Sequence, residues 1–195
     1  MRVVFTTYSG GGAMNMRSLM LVGFAVLLLA GCSPNVVSLQ YQPRPELGPE
    51  CTGQVTILPF QDATAKRELG TNRKGGPIFS DIAVERWVRE AFADQLEAQG
   101  CRVRVSAAAD SGYALSGKVL GVDLQQISSS QYQAYLRLEV LLREAGSGGE
   151  KLYQERLGVK VDKQFMPGTK NAEDVLQELM QDLMQAVSSK LVSYM

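Results

Sequence analysis

The sequence predicts a single α+β domain with the element order β-α-β-β-β-β-α, a mixed sheet, and two helices expected on one of its faces. Three observations predict this. Residues 132–143 alternate apolar and polar side chains, the period of a strand with one buried face. Residues 80–99 and 171–194 repeat apolar residues at three-and-four spacing, the period of an amphipathic helix. A short β-branched run stands on each side of the first helix, so strand, helix and strand form a unit whose two strands are parallel.

The domain is expected to begin near Cys51. Gln54 to Phe60 is a buried strand, closed by Pro59 because proline cannot donate to a ladder. Residues 61–80 carry no periodic pattern and read as a long loop. Ser80 is the expected N-cap of the helix running to Gln99, and Gly100 its stop. Val84, Trp87, Val88, Ala91, Phe92, Gln95 and Leu96 form its inner face. Cys101 to Val105 is the second strand. Tyr113 to Ile127 is the third, where Gly117 and Gly121 mark a bulge or a close backbone approach.

Ser128-Ser129-Ser130 turns the chain into the alternating strand, whose Tyr132, Ala134, Leu136, Leu138, Val140 and Leu142 face the core. After the Gly146-Ser147-Gly148-Gly149 turn, Lys151 to Asp162 returns with Tyr153, Leu157, Val159 and Val161 inward. Asn171 is the expected cap of the last helix, with Asp174 returning the bond. Val175, Leu176, Leu179, Met180, Leu183, Met184, Val187 and Leu191 give that helix a broad apolar stripe. Met180 and Met184 lie at its side. They either fill gaps beside the sheet or face a partner, since methionine serves on adaptable binding surfaces.

The first 31 residues read as a secretion signal. Arg17 precedes the apolar run Leu19 to Leu29, and small residues Ala30 and Gly31 follow. A run of this length is too short to span a membrane stably. Residues 1–13 fit no part of a signal, so translation can equally start at Met14 or Met16. Leu29-Ala30-Gly31-Cys32 resembles the bacterial lipobox. The resemblance implies a diacylglyceryl thioether on Cys32, cleavage before it, and acylation (palmitate or a similar chain) of the new amine. Ser33 next to it, rather than Asp, implies sorting to the outer membrane with the domain facing the periplasm. Residues 32–50 hold four of the seven prolines and read as a lipidated tether between anchor and domain.

Composition excludes several function classes. The chain has 195 residues, 45% of them hydrophobic and 21% charged, with net charge +0. Removing Arg2 and Arg17 with the signal leaves 18 of the 20 basic residues against 20 acidic ones, a net −2. That is no footprint for nucleic acid. The chain has no histidine, which removes the commonest general base and metal ligand. No catalytic residue, metal or cofactor is expected. Acid pairs such as Glu85 with Glu90 and Glu173 with Asp174 read as solvated helix faces and caps. Gly70 to Gly75 lacks the spacing of a phosphate loop.

Two features point further. Cys51 and Cys101 stand at the same end of the two parallel strands. An oxidising periplasm favours a disulfide if those strands are neighbours; otherwise they are two separate thiols. The 61–80 loop holds Lys66, Arg67, Arg73 and Lys74, leaves the carboxyl end of a parallel strand and enters a helix N-terminus. It is either a binding loop suited to anions or a solvated connection.

Val55-Thr56-Ile57-Leu58-Pro59-Phe60, Asp62, the glycine-containing basic loop, the helix from Asp81 to Trp87 and the strand Tyr113 to Val119 resemble the YajG-type family of bacterial lipoproteins. The chain is also similar, more weakly, to auxiliary lipoproteins of ABC-type transport systems. The first resemblance implies an outer-membrane-associated lipoprotein and supplies no catalytic residues. The expected function is a noncatalytic envelope module that binds a partner protein. The alternative is a lipid-transport accessory that contacts phospholipid.

Overall fold

The computed structural model describes residues 35–44, 50–64, 66–146, 148–166 and 171–195. The expected signal, Cys32 and the expected capping side chain of Asn171 lie outside the described residues. In chain order the elements are β1 (Asn35–Val37), β2 (Gln54–Ile57), β3 (Gln61–Asp62), β4 (Glu68–Thr71), β5 (Pro77–Ser80), α1 (Val84–Ala98), β6 (Arg102–Val105), β7 (Tyr113–Gln126), β8 (Gln131–Glu144), β9 (Lys151–Gln164) and α2 (Asn171–Val192).

The frame of the sheet is the antiparallel run β7-β8-β9, three strands of 14 residues each. Its register sets Leu136 against Val159, Leu138 against Leu157 and Ala134 against Val161. This puts the inner residues of β8, Ala134 to Leu142, in the core as their alternation predicts. β7 opens with Leu115 and Val119 inward and ends with Val122 and Leu124 inward. The change of parity is absorbed by a bulge between Val119 and Gly121. Gly117 is the predicted close approach: a Cβ there would lie 2.4 Å from the Phe60 ring and 2.5 Å from the Glu139 carbonyl oxygen.

The other edge of β7 is shared by three short parallel strands in turn: β2 beside Tyr113 to Leu115, β3 beside Lys118 and Val119, β4 beside Leu124 and Gln125. β6 extends the sheet beyond β2, in parallel, and β5 then β1 extend it beyond β4. The class is therefore α+β with a mixed sheet, as predicted, but with four strands that periodicity did not indicate. α1 and α2 pack on the sheet and on each other. The residues buried beneath them, among them Ile57, Trp87, Phe92, Leu115, Leu138 and Leu179, form one core.

Three expectations need correction. Half of the 61–80 loop is strand. β4 and β5 form a hairpin whose turn is organised by Asn72: its Oδ1 accepts from Lys74 N (2.9 Å) and Gly76 N (3.0 Å), and its carbonyl accepts from Gly75 N (2.8 Å). Gly75 there has φ +79. Strands of two to four residues are too short to show a period; β3 and β4 take their order from the edge of β7, and β5 from β4. Gly70 marks the tightest approach, since a Cβ would fall 1.9 Å from the Leu124 carbonyl oxygen.

Ser80 is not the N-cap of the first helix. Its backbone pairs with Val37, and the helix begins after Ala83 with no side-chain cap. Gly100 does end the helix region, with φ +93.

The domain does not begin at Cys51, and residues 35–44 are no free tether. β1 pairs in parallel with β5, and Val37 and Leu39 are buried in the core. Proline density marked a chain without helix there. It did not mark a chain without contacts, because an extended segment can still lie in a groove.

Candidate functional site

Past β1 the chain becomes a strap across the two helices. Two glutamine amides hold it by mimicking strand pairing. Gln95 of α1 donates from Nε2 to the Arg44 carbonyl (2.8 Å), while its Oε1 accepts from Arg44 N (3.0 Å) and the Tyr41 hydroxyl (2.5 Å). Gln177 of α2 accepts from Gln42 N (3.1 Å) and donates to the Gln42 carbonyl (3.3 Å). The Trp87 indole N–H donates to the Gln40 carbonyl (3.1 Å). Gln95 is fully buried, so its amide would be costly without these partners. Burial also pushes the Tyr41 phenol up, which keeps it a donor.

Asp81, in the bend between β5 and α1, clasps the start of the strap. Its carboxylate accepts from the Ser38 hydroxyl (2.7 Å) and from Leu39 N (2.9 Å). Desolvation pushes this carboxyl up, but the hydrogen bonds from Leu39, Ser38 and the backbone of Ile82 and Asp81 outweigh it and hold the pKa below the usual value. A carboxyl lowered on folding stabilises above its unfolded pKa, and that contribution is lost as pH falls through the folded pKa. The clasp is therefore expected to weaken once the pH falls below the ordinary Asp range and to open only at the lower pKa of the folded state. Trp87 is the sole tryptophan and touches the strap, so its emission reports the event. A red shift on acidification, reproduced at neutral pH by Asp81→Asn, is expected. Unchanged emission in that variant would show that the clasp does not hold the strap.

The four expected basic residues do not meet. Lys66 and Arg67 precede β4, and Arg73 and Lys74 follow it in the hairpin turn. Lys66 and Arg67 are exposed and line two adjoining surface clefts of about 310 and 350 Å³. One cleft continues over Gly70, Thr71, Val122 and Asp123. The other faces Asp62 and the α1 entry, with Asp81 and Glu85 on its wall. Local bonds shape the approach. Asp62 Oδ1 accepts from Thr64 N (2.8 Å) and the Thr64 hydroxyl (2.7 Å), and Thr64 Oγ1 accepts from Lys66 N (3.2 Å). Among the described residues neither Lys66 nor Arg67 forms an ion pair. Arg73 reaches the β7 end, where its N–H donates to Gln126 Oε1 (3.5 Å).

Met180 and Met184 are not a surface. Both are 0% exposed, within the core. α2 packs against β8, β9 and also α1, so its stripe must serve two neighbours and is wider than covering a sheet requires. Cys51 and Cys101 form the expected disulfide, with Cα atoms 4.7 Å apart beside the parallel pair β2 and β6. Among the described residues no group of three or more Cys, Asp or Glu could hold a metal ion. The strap and Gln177 gave no signal in the sequence. Only the buried position of a polar Gln95 on an apolar helix face hinted at a partner.

No protein-family model matches the sequence, and no curated protein matches it. Solved structures do. The crystal structure of protein XCC0632 from Xanthomonas campestris, described with the family model DUF330, superposes with a TM-score of 0.61 at 12% identity, over 82% of this chain and 95% of that one. In fold, the chain is similar to XCC0632. The hypothetical protein CT253 from Chlamydia trachomatis has a TM-score of 0.50 at 11% identity, over 73% of this chain and 97% of that one. An uncharacterized protein gives a TM-score of 0.51 at 11% identity, over 81% and 98%. At such identities the likeness concerns the arrangement of strands and helices alone.

Proposed function

We infer that the chain is a noncatalytic lipoprotein of the YajG type in the bacterial envelope, anchored through Cys32 at the outer membrane and facing the periplasm. It docks a partner protein through the ledge of Lys66 and Arg67. One observation carries the docking reading: these two exposed cations stand without ion-pair partners among the described residues, between two clefts, on a segment fixed to the sheet edge at both ends. A backbone fixed at both ends presents the two cations to an acidic partner surface, so binding has to order their side chains but not the segment. The lipobox resemblance and the disulfide, which suits an oxidising compartment, support the envelope location.

Two variants test this reading. Cys32→Ala is expected to leave unprocessed precursor and no outer-membrane pool; a variant that still matures and fractionates there would overturn the anchor. Lys66→Glu with Arg67→Glu is expected to melt like the parent and lose the main protein crosslink in intact cells. Retained crosslinks would remove the ledge as the docking site. Stoichiometric phospholipid in place of a protein partner would favour the lipid-transport alternative.

A further inference from the structure

The free end of the β1-β5-β4-β7-β8-β9 portion of the sheet gathers residues that are separate in the sequence. β1 runs parallel to β5 with Asn35 beside Ile78, so the chain enters next to the 72–76 turn that carries Arg73 and Lys74. Thr71 pairs with Gln125, and Arg73 bonds Gln126, which places that turn beside the β7–β8 turn beginning at Ile127. Gln131 pairs with Gln164, and Phe165 N donates to the Ser130 carbonyl (2.7 Å), which adds Phe165 and Met166 to the row. Among the described residues, three of the five exposed large apolar side chains sit here: Val36 at 50%, Ile127 at 48% and Met166 at 82%. A fourth, Val105, lies at the end of β6, which reaches only the level of Leu115 through β2.

We propose that this end of the domain is seated on the membrane: Val36, Ile127 and Met166 enter the headgroup region, and Arg73 and Lys74 meet anionic phospholipid headgroups. The proposal rests on lipidation at Cys32. Asn35 is the third residue after Cys32, so at most about 11 Å of backbone separates the acylated residue from β1. A leash that short holds this end, and no other, at the bilayer surface. Apolar side chains flanked by arginine and lysine suit the interface, where the stems lie among the headgroups and the charges meet phosphate.

The acidic groups nearby keep their charge, but those on β7 and β9 stand back along the strands from the turns. Asp162 is engaged by Gln131 Nε2 (3.2 Å) and Gln133 Nε2 (2.7 Å), and Asp123 by Gln125 Nε2 (2.7 Å), on the strands rather than the turns. Lys163 is paired with Glu178 and lies over the Phe165 ring. Glu173 stands at the level of Ser38, further from the entry point.

The test uses the full lipidated protein in vesicles of phosphatidylcholine with or without phosphatidylglycerol. A benzophenone amino acid is placed at Ile127 or, for comparison, at Val105. Lipid adducts are expected from position 127 and not from position 105. In the phosphatidylglycerol vesicles, Arg73→Gln or Lys74→Gln is each expected to reduce the adduct about fivefold. Equal adducts at both positions, adducts insensitive to both substitutions, or adducts to a second copy of the chain would overturn the seating. Protein that floats with the vesicles but yields no lipid adduct at 127 also overturns it, while leaving the anchor intact. Protein that fails to float, with no acyl mass on Cys32, overturns the anchor and the seating with it.

Discussion

Met180→Glu combined with Met184→Glu is expected to abolish the folded state. Both methionines are fully buried, one helical turn apart on α2. A carboxylate there either stays ionised without a partner, at several kcal/mol, or takes up a proton and still buries an unsatisfied acid. Two such sites approach or exceed the roughly 5–15 kcal/mol of a typical domain. Loss of the cooperative thermal transition by circular dichroism, with rapid proteolysis, is the expected observation. The paired control is Met180→Leu with Met184→Leu, which conserves volume and is expected to cost less than about 1.5 kcal/mol per site. A glutamate double variant that melts like the parent would mean that α2 turns a different stripe to the core.

Removing the disulfide is the second large effect. Cys51 and Cys101 are 50 residues apart, and closing a loop of that length stabilises by about 4 kcal/mol in the chain-entropy model. The bridge also pins the entrance of β2 to the end of α1, where Cys51 N donates to the Gln99 carbonyl (2.8 Å). Cys51→Ala with Cys101→Ala is expected to lower the melting temperature by about 8–16 °C. Reduction of the unaltered protein should reproduce most of that shift. A shift under about 2 °C in both experiments would show that the β2–β6 pairing and the helix above it need no cross-link.

The parts legible in the sequence were those with a long period. β8 and β9 run 14 residues each, and a one-residue slip would turn every Leu and Val of their inner faces outward. α1 and α2 repeat over four turns or more. The cysteine pair was legible because a parallel strand-helix-strand unit brings two strand entrances to the same end. The strands β1, β3, β4 and β5 were not legible. Each has two to four residues; β3 and β4 take their place on the bare edge of β7, and β5 and then β1 add on beyond β4.

The candidate site divided in the same way. Lys66, Arg67, Arg73 and Lys74 were visible as a basic stretch, but β4 parts them into a ledge and a turn with different neighbours. By itself the sequence determined the fold class, the strand-helix-strand unit, an irregularity in β7 at its glycines, and the pattern that reads as an anchor, because these depend on local period and local chemistry. The tertiary structure alone decided that residues 38–44 are strapped across the helices with Leu39 in the core, that Met180 and Met184 are core, and that Val36, Arg73, Ile127 and Met166 share one end. Those facts depend on which distant segments compete for an edge or a groove. That competition is settled by burial and hydrogen bonding across the whole chain, such as Gln95 with Arg44 and Asp81 with Leu39.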